Sequence, residues 1–248
     1  MAALRVAIEE KRFPAVGAAP EKHVLGRVHF AAAAGETVAI TGPSGCGKTT
    51  LLNIVAGLDG DFRGHVERPP SGRIGYVFQE PRLLPWRTVA DNLRLVLAGS
   101  REEQEQRIAR ILAEVGLADA RDVFASRLSL GMARRVAIAR AFVIEPELLL
   151  LDEPFVSLDT PTARRMRLLL LELLAAHRPT TLFVTHDLRE AVTVADRILV
   201  LSHPPAEIVA DIAVPLSREA RSDESAVEEF RLRLGDFARL LEREGTSA

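Results

Sequence analysis

The sequence predicts an α/β fold, on the evidence of three short apolar runs and one helical run. Residues 36–41 and 148–152 are short apolar runs, the composition expected of strands buried on both faces of a sheet. Residues 50–56 form a helical run that is stopped by Gly57, so a helix closely follows the first strand. Another apolar run, residues 181–185, predicts a further buried strand. These segments favour a doubly wound sheet, which binds ligands at the carboxyl edge of its strands.

A glycine-rich loop connects the first strand to its helix. Its sequence has the spacing of a phosphate-binding loop, G-x-x-x-x-G-K-[ST], in the strand–loop–helix context that the motif requires. The predicted nucleotide-binding residues in it are Gly42, Pro43, Ser44, Gly45, Cys46, Gly47, Lys48 and Thr49. The glycines allow consecutive N–H groups to point at an anion, and the following helix adds its positive N-terminus. The alternative, a surface turn that matches by chance, is disfavoured by the flanking strand and helix.

The bulk composition indicates a soluble cytoplasmic protein. A chain of 248 residues can form one large α/β domain, with or without a small insertion. Its net charge of −2 gives no electrostatic footprint for nucleic acid, so no nucleic-acid partner is expected. One cysteine suits a reducing compartment. We find neither a signal peptide nor an apolar stretch that could span a bilayer, so any membrane role would be peripheral.

Two adjacent carboxylates and a histidine follow the later strands. Asp152 and Glu153 end the run at residues 148–152, at the expected ligand-binding edge. Beside a phosphate loop, one carboxylate would hold Mg²⁺ and the other would orient or deprotonate the attacking water. His186 follows the run at residues 181–185. An isolated histidine there would more often be a capped core residue, but its combination with the other two motifs favours a functional role.

These motifs resemble those of the ATP-binding subunits of ABC transporters, in the same order along nearly the whole chain. Residues 42–49 resemble the Walker A motif, and residues 148–153 resemble Walker B with its catalytic glutamate. Gln79 resembles the Q-loop glutamine, residues 157–159 the D-loop, and His186 the switch histidine. Residues 128–132 resemble the Leu-Ser-Gly-Gly-Gln signature, although Leu130 replaces its first glycine. Ala133 and Arg134 also differ from the usual basic–Gln pair.

The resemblance implies a P-loop NTPase core with an antiparallel β subdomain and an inserted helical subdomain. The core would comprise roughly residues 1–84 and 145–214, the helical subdomain roughly residues 85–144, and a C-terminal helix roughly residues 223–244. Helical patterns at residues 88–97 and 101–116 agree with this division. Ser129 is expected to cap the next helix.

The resemblance also implies roles for the residues of the hydrolytic site. Lys48 and the loop amides bind the β- and γ-phosphates of ATP, and Thr50 reaches the α-phosphate. Thr49 and Asp152 hold Mg²⁺. Glu153 is the general base, and His186 clamps the γ-phosphate in the transition state.

Other implied roles concern the water, the adenine base and a second subunit. Gln79 senses Mg²⁺ and the attacking water. Ser129 and Gly131 contact ATP held by a second copy, so we expect a head-to-tail homodimer, with Asp159 communicating across it. Phe13 is the candidate for stacking on adenine, and a phenylalanine in a surface turn is the alternative. Cys46 is interpreted as structural.

One segment resembles a transport subgroup. Residues 79–92, together with Met132, resemble the ATPases of nitrate, aliphatic sulfonate and taurine importers. In this family a transmembrane permease docks near such a segment, so Leu84, Trp86 and Arg87 are expected to line its groove; ordinary packing is the alternative for Trp86. The protein is then expected at the cytoplasmic face of the cell membrane, with a permease and an extracytoplasmic substrate-binding protein as partners. The alternatives are the ATPase of a lipid-handling or division-associated complex, or a non-transport ABC ATPase.

Overall fold

The computed structural model describes residues 2–15, 17, 20–217 and 220–244, with side chains for all of these except residues 2, 222 and 235–244. The strands are β1 (Ala2–Phe13), β2 (Lys22–Leu25), β3 (Val28–Ala33), β4 (Thr37–Thr41), β5 (Arg63–Glu67), β6 (Ile74–Val77), β7 (Leu148–Asp152), β8 (Thr180–Val184), β9 (Arg197–Leu201) and β10 (Ile208–Ala213). The helices are α1 (Lys48–Ala56), α2 (Val89–Arg94), α3 (Arg101–Glu114), α4 (Leu130–Phe142), α5 (Thr160–His177), α6 (Leu188–Val194) and α7 (Glu224–Glu244). The predicted α/β fold is confirmed.

The chain divides into two compact units. The first unit comprises Met1–Arg68 and Thr180–Ala248, and the second comprises Pro69–Pro179. The phosphate loop and His186 belong to the first unit, whereas Gln79, Asp152 and Glu153 belong to the second. The division into a core and a helical subdomain at residues 84 and 145 stays a prediction.

An antiparallel sheet forms one layer of the first unit. Strand β1 pairs with β2, β3 and β5, and all three pairings are antiparallel. Leu4, Val6 and Ile8 are buried on β1, while Arg5 and Glu9 between and after them are exposed. This alternation is the period of a strand with one face on the core. The layer corresponds to the antiparallel β subdomain that the family resemblance implied.

The other layer of the first unit is a mainly parallel sheet around β4. Strand β4 lies parallel to β8 on one side and to β9 on the other, and β10 adds antiparallel to β9. Every residue of β4 and β8 is buried, as the sequence predicted for strands covered on both faces. Ile40 is aligned with Val184, so the phosphate loop and His186 both follow the same carboxyl edge.

The second unit contains the parallel pair β6 and β7, with helices around it. Ile74–Val77 is aligned with Leu148–Leu151, and β7 is buried throughout. Helix α4 approaches β6 so closely that a Cβ on Gly75 would lie 2.5 Å from the Ala141 carbonyl oxygen. Gln79, just after β6, and Asp152, at the end of β7, therefore lie at one edge of this pair.

The predicted helix at residues 88–97 is shorter in the structure. Thr88 caps α2, which ends at Arg94. Arg94 then pairs with Glu105 of α3 at 2.6 Å, and a capping box between Ser100 and Glu103 fixes the start of α3. The intervening residues form the turn between the two helices. Among the described residues, no helix has the length and hydropathy to cross a membrane.

Candidate functional site

The backbone of the phosphate loop can be formed only with glycine at specific positions. Gly42, Gly45 and Gly47 have φ angles of 152°, 74° and 110°, in the region that L side chains rarely adopt. A Cβ on Gly42 would lie 2.8 Å from the Leu201 carbonyl oxygen. A Cβ on Gly47 would lie 2.7 Å from Val24 Cγ1 and 2.8 Å from Leu25 Cδ2. The loop is thus packed against β9 and β2, which fixes the direction of its amides.

Lys48 begins α1 and is held inside the loop. Its side chain is only 7% exposed, and its Nζ donates to the carbonyl oxygens of Gly42 and Pro43, both at 2.9 Å. An ammonium has three N–H donors, so one is available to an anion. Thr49 is exposed and Thr50 is half-buried at the same helix N-terminus. The arrangement can bind phosphate through a cation, amides and a hydroxyl.

Cys46 is fully buried in the same loop. Burial raises the pKa of its thiol, and the nearby Lys48 charge opposes this only in part. A buried thiol with a raised pKa is a poor nucleophile. The structural interpretation of Cys46 is therefore supported.

Phe13 ends β1 with 40% of its surface exposed. The ammonium of Lys11 lies 4.6 Å from its ring centroid, while Lys11 itself is buried and donates to Asp59 Oδ1 at 2.9 Å and to the Asp61 carbonyl at 2.6 Å. Sequence reasoning missed Lys11, because lysines are rarely buried. The sequence signal that could have identified Lys11 is its two-residue spacing to Phe13, which places both side chains on one face of a strand.

His186 is exposed just beyond β8, so it is not a core histidine. The residues around it are firmly held. The buried Thr185 hydroxyl donates to Glu190 Oε2 at 2.6 Å and accepts from the Asp187 amide at 3.0 Å. Asp187 in turn caps α6 by accepting from the Arg189 amide. The turn that carries His186 is therefore fixed at both of its ends.

In the second unit, two carboxylates end the buried strand β7. Asp152 is buried, and Glu153 is half-buried with a φ of 45°, which is rare for a residue other than glycine. Burial raises the pKa of Tyr76, and the charge of Asp152 raises it further. A left-handed glutamate is a form of backbone strain that concentrates at functional sites.

Gln79 is exposed after β6, and its backbone is fixed by an arginine that sequence reasoning noted only as a departure from the family. Nη1 of Arg134 donates to the Gln79 carbonyl at 2.9 Å. Arg140, which lies further along α4, donates to the carbonyls of Pro81 and Arg82 at 2.9 Å and 2.8 Å. Burial lowers the pKa of both arginines. Helix α4 thus holds the segment that contains Gln79.

The signature and D-loop residues line one cleft of about 690 Å³ in the second unit. Ser129 caps α4, as predicted, by accepting from the Met132 amide at 3.3 Å. Leu130 is the first residue of that helix and is 45% exposed, with Gly131 after it. Asp159 caps α5 by accepting from the Thr162 amide at 3.0 Å, and the hydrogen bonds from Thr162 lower the pKa of Asp159. The cleft presents hydroxyl, amide and carboxylate groups to solvent.

The segment before α2 presents an exposed tryptophan on a loop that is hydrogen-bonded to a buried asparagine. Trp86 is 69% exposed, which argues against the packing alternative. The fully buried Asn92 accepts from the Leu84 amide at 2.7 Å and donates to the carbonyls of Leu84 and Thr88 at 3.2 Å and 2.9 Å. Leu84 is half-buried, and Arg87, which follows Trp86 in the sequence, is exposed. The loop geometry is therefore set by one amide side chain.

Comparison with known proteins shows the class of this chain. The ABC transporter family matches residues 25–156. An aliphatic sulfonates import ATP-binding protein, SsuB 2 of Burkholderia lata, is 46% identical over 230 residues, which cover 90% of this chain and 84% of that protein. SsuB 1 of Pseudomonas aeruginosa strain UCBPP-PA14, of the same description, is 46% identical over 225 residues, covering 86% and 89%. The chain belongs to the ABC transporter family, as its motifs predicted.

Solved structures agree with this assignment. A dimeric structure of MJ0796, a bacterial ABC transporter cassette, matches with a TM-score of 0.74 and 29% identity, covering 86% of this chain and all of that one. A post-hydrolysis state of the same cassette, bound to ADP and Pi, matches with a TM-score of 0.73 and 29% identity over the same shares. The fold is therefore that of an ABC ATPase cassette.

The close contacts of Gly47 predict a position-specific loss of stability. Gly47→Ala should lower the free energy of unfolding by about 2–4 kcal/mol, because the new Cβ meets Val24 and Leu25 and the backbone must keep a positive φ. Gly60→Ala is the matched control, since nothing lies within 4 Å of its Cβ position. It should change stability by less than about 0.5 kcal/mol. Urea unfolding measures both; equal effects of the two substitutions would contradict the packing described.

Proposed function

We propose that this chain is the ATP-hydrolysing subunit of an importer of small anions, and that its cargo class is the aliphatic sulfonates. The observation that carries the proposal is the 46% identity, over most of both chains, to aliphatic sulfonates import ATP-binding proteins. The residues that the family resemblance assigns to nucleotide binding and hydrolysis are present here. The relatives support import over lipid handling, cell division or a role outside transport.

ATP binds to the phosphate loop of the first unit in this proposal. The amides of the loop and the free N–H of Lys48 contact the β- and γ-phosphates, and Thr50 contacts the α-phosphate. Phe13 stacks on adenine with one face of its ring, while Lys11 approaches the ring closely enough for a cation–π contact. Strand β2 supports this arrangement, because it pairs with the end of β1 and packs on Gly47.

Mg²⁺ would be held by the hydroxyl of Thr49 and the carboxylate of Asp152. Both are oxygen ligands, which Mg²⁺ prefers. No group of three or more His, Cys, Asp or Glu side chains is placed to hold a metal among the described residues, so phosphate oxygens and water would supply the remaining ligands. When bound, the ion neutralises phosphate charge.

Hydrolysis follows from the roles of three side chains. Glu153 accepts a proton from a water molecule whose oxygen forms a bond to the γ-phosphorus, and the bond to the β–γ bridging oxygen breaks to leave ADP. Gln79 orients that water. His186 hydrogen-bonds the γ-phosphate as its charge redistributes in the transition state. The exposure of Gln79 and His186 supports roles in contact with ligand rather than in the core.

A head-to-tail homodimer completes the two sites in this proposal. Ser129 and Gly131 of one copy contact ATP bound to the other, and Asp159 lies at the same interface. The cleft that these residues line is open to solvent, and the start of α4 offers the hydroxyl of Ser129 and the amides after it. Likeness to a dimeric cassette supports this assembly.

A transmembrane permease would bind the loop that carries Trp86. An exposed indole on a loop held by Asn92 is a preorganised anchor, of the kind that often dominates an interface. Leu84 and Arg87 would line the same surface. The protein would then lie peripherally at the cytoplasmic face of the cell membrane, and an extracytoplasmic binding protein would deliver the cargo to the permease.

Uptake by whole cells tests the proposed function. Deleting the gene for this chain should abolish uptake of ³⁵S-labelled ethanesulfonate, and the chain supplied in trans should restore it. Uptake of labelled sulfate is the control and should be unchanged. Loss of nitrate uptake with ethanesulfonate uptake intact would assign another anion. Loss of taurine uptake alone would keep the cargo class and change only its member, because taurine is itself an aliphatic sulfonate. Unchanged uptake of all of these anions would contradict an import role.

In the same assay, Trp86→Ala should lower ethanesulfonate uptake while the isolated chain keeps its ATPase rate. Truncating a central aromatic anchor costs about 2 kcal/mol or more of binding free energy, or about 30-fold in affinity for the permease. Leu58→Ala is the matched control, because Leu58 is similarly exposed but lies after α1. If both variants behave alike, or if Trp86→Ala loses its own ATPase, the docking surface is wrong.

Substituting the base should separate binding from hydrolysis. Glu153→Gln should still bind ATP and accumulate a closed dimer, while its kcat falls by about 10²–10⁴-fold. Lys48→Ala should instead lose nucleotide affinity and should not dimerise, because the buried cation of the loop is removed. Steady-state ATPase and light scattering measure both properties. A parental kcat in Glu153→Gln would remove Glu153 from the base role.

The exposed leucine of the signature should weaken dimerisation slightly. Leu130 has a helical backbone, so it is unstrained, but its side chain lies where the family has a glycine. In a Glu153→Gln background, Leu130→Gly should strengthen ATP-dependent dimerisation by about threefold, about 0.6 kcal/mol. Leu130→Ala controls for helix propensity, since glycine alone costs about 1 kcal/mol in a helix. Light scattering gives the dimer fraction; weaker dimerisation of both variants would show that Leu130 supports the interface.

A further inference from the structure

Arg134 of α4 is a buried cation whose partners are backbone carbonyls far away in sequence. The residue is 5% exposed. Its Nη1 donates to the carbonyl of Gln79 at 2.9 Å and to that of Pro154 at 3.1 Å, and its Nη2 donates to that of Val156 at 2.6 Å. One guanidinium therefore connects the segment after β6 with the segment after β7.

The carbonyls of Pro154 and Val156 lie in a strained turn. Glu153 at its start and Ser157 just after it have φ angles of 45° and 63°, both left-handed and both in residues with a Cβ. The amide of Val156 donates to the Glu153 carbonyl at 3.2 Å, which closes the turn. Residues in such conformations persist only when the surrounding structure determines them strongly.

The guanidinium is well suited to hold this turn. Its planar group offers five donors in a fixed geometry, and hydrogen bonds from a cation are stronger than those between neutral groups. Two of its bonds reach carbonyls between the two left-handed residues. Loss of these bonds would let the backbone at Glu153 relax toward negative φ, which would turn its carboxylate away.

We propose that Arg134 is a positioning residue for ATP hydrolysis, which acts by holding the backbone turn that aims the carboxylate of Glu153. The inference rests on the proposed function, in which Glu153 is the general base. Arg134 itself touches neither ATP nor water in this account. Its bond to the Gln79 carbonyl places the backbone of the water-orienting glutamine on the same guanidinium.

The neighbouring Arg140 gives the matched comparison. It also donates from α4 to backbone carbonyls, those of Pro81 and Arg82, but neither carbonyl lies in the turn after Glu153. Arg140→Met and Arg134→Met should therefore both lower the melting temperature. Only Arg134→Met should lower kcat strongly, by about 10- to 100-fold with KM within about threefold, as expected for a misplaced catalytic group. Arg134→Lys should recover part of that kcat, because it keeps the charge and one donor to the turn.

A double-mutant cycle with the full chain decides the proposal. The rate of hydrolysis of γ-labelled ATP is measured under single-turnover conditions for the parent, Arg134→Met, Glu153→Gln and the double variant. If Arg134 acts through Glu153, the arginine substitution should change the residual rate of Glu153→Gln by less than about threefold. An equal fold-loss in both backgrounds, or a raised KM with unchanged kcat, would overturn the proposal.

The same series separates this inference from the proposed function. A parental rate in Glu153→Gln would mean that the base is wrongly assigned, whatever Arg134 does. A slow Glu153→Gln with a parental rate in Arg134→Met would refute the positioning role alone. If Arg134→Met does not fold cooperatively, the cycle is run with Arg134→Lys, whose partial loss of kcat should likewise shrink to less than about threefold in the Glu153→Gln background. An equal loss in both backgrounds would again overturn the proposal.

Discussion

The proposed nucleotide site depends on one constraint: the buried ammonium of Lys48 lies in a loop whose backbone requires glycine at three positions. The carbonyl oxygens of Gly42 and Pro43 accept hydrogen bonds from this cation, and the glycines with positive φ let the chain turn into α1. Contacts with β9 and β2 leave the loop no room for a Cβ at Gly42 or Gly47. The donors that we propose for phosphate are thus set by packing alone, and preorganised donors bind an anion without the cost of ordering them.

The second unit also has left-handed backbone conformations at residues other than glycine, where arginine side chains bind the neighbouring carbonyls. Among the described residues, every left-handed residue other than glycine lies in this unit: Arg82, Glu145, Glu153, Ser157 and Arg178. Guanidinium groups bond to carbonyls at or beside four of them. Arg140 bonds to Arg82, Arg73 bonds to Glu145, and Arg134 bonds to the turn between Glu153 and Ser157. Side-chain cations therefore stabilise backbone conformations that the residue types themselves disfavour.

The elements that the sequence predicted well are those with a local signal. The strand–loop–helix around Lys48, the buried strand ending at Asp152 and the capping of α4 by Ser129 each follow from short patterns of apolar, glycine or hydroxyl residues. The contacts of Arg134 could not be predicted, because its three acceptors lie 55, 20 and 22 positions away in the sequence. All three are backbone carbonyls, which every residue has, so no residue type marks them in the sequence. Lys11 was missed for a similar reason, since its burial depends on Asp59 and Asp61 in another segment. The antiparallel pairing of β1 was expected only from the family resemblance.

We propose that the affinity for nucleotide is supplied mainly by the contacts of the loop and Lys48 with the β-phosphate, which ATP and ADP share and AMP lacks. Calorimetric titration of the full chain with ATP, ADP and AMP, each with Mg²⁺, tests this most directly. ADP and ATP should bind with affinities of the same order, and AMP should bind at least about 100-fold more weakly, a difference of about 2.7 kcal/mol. AMP binding as tightly as ADP would show that the base and ribose carry the affinity, and it would contradict the account given for the loop.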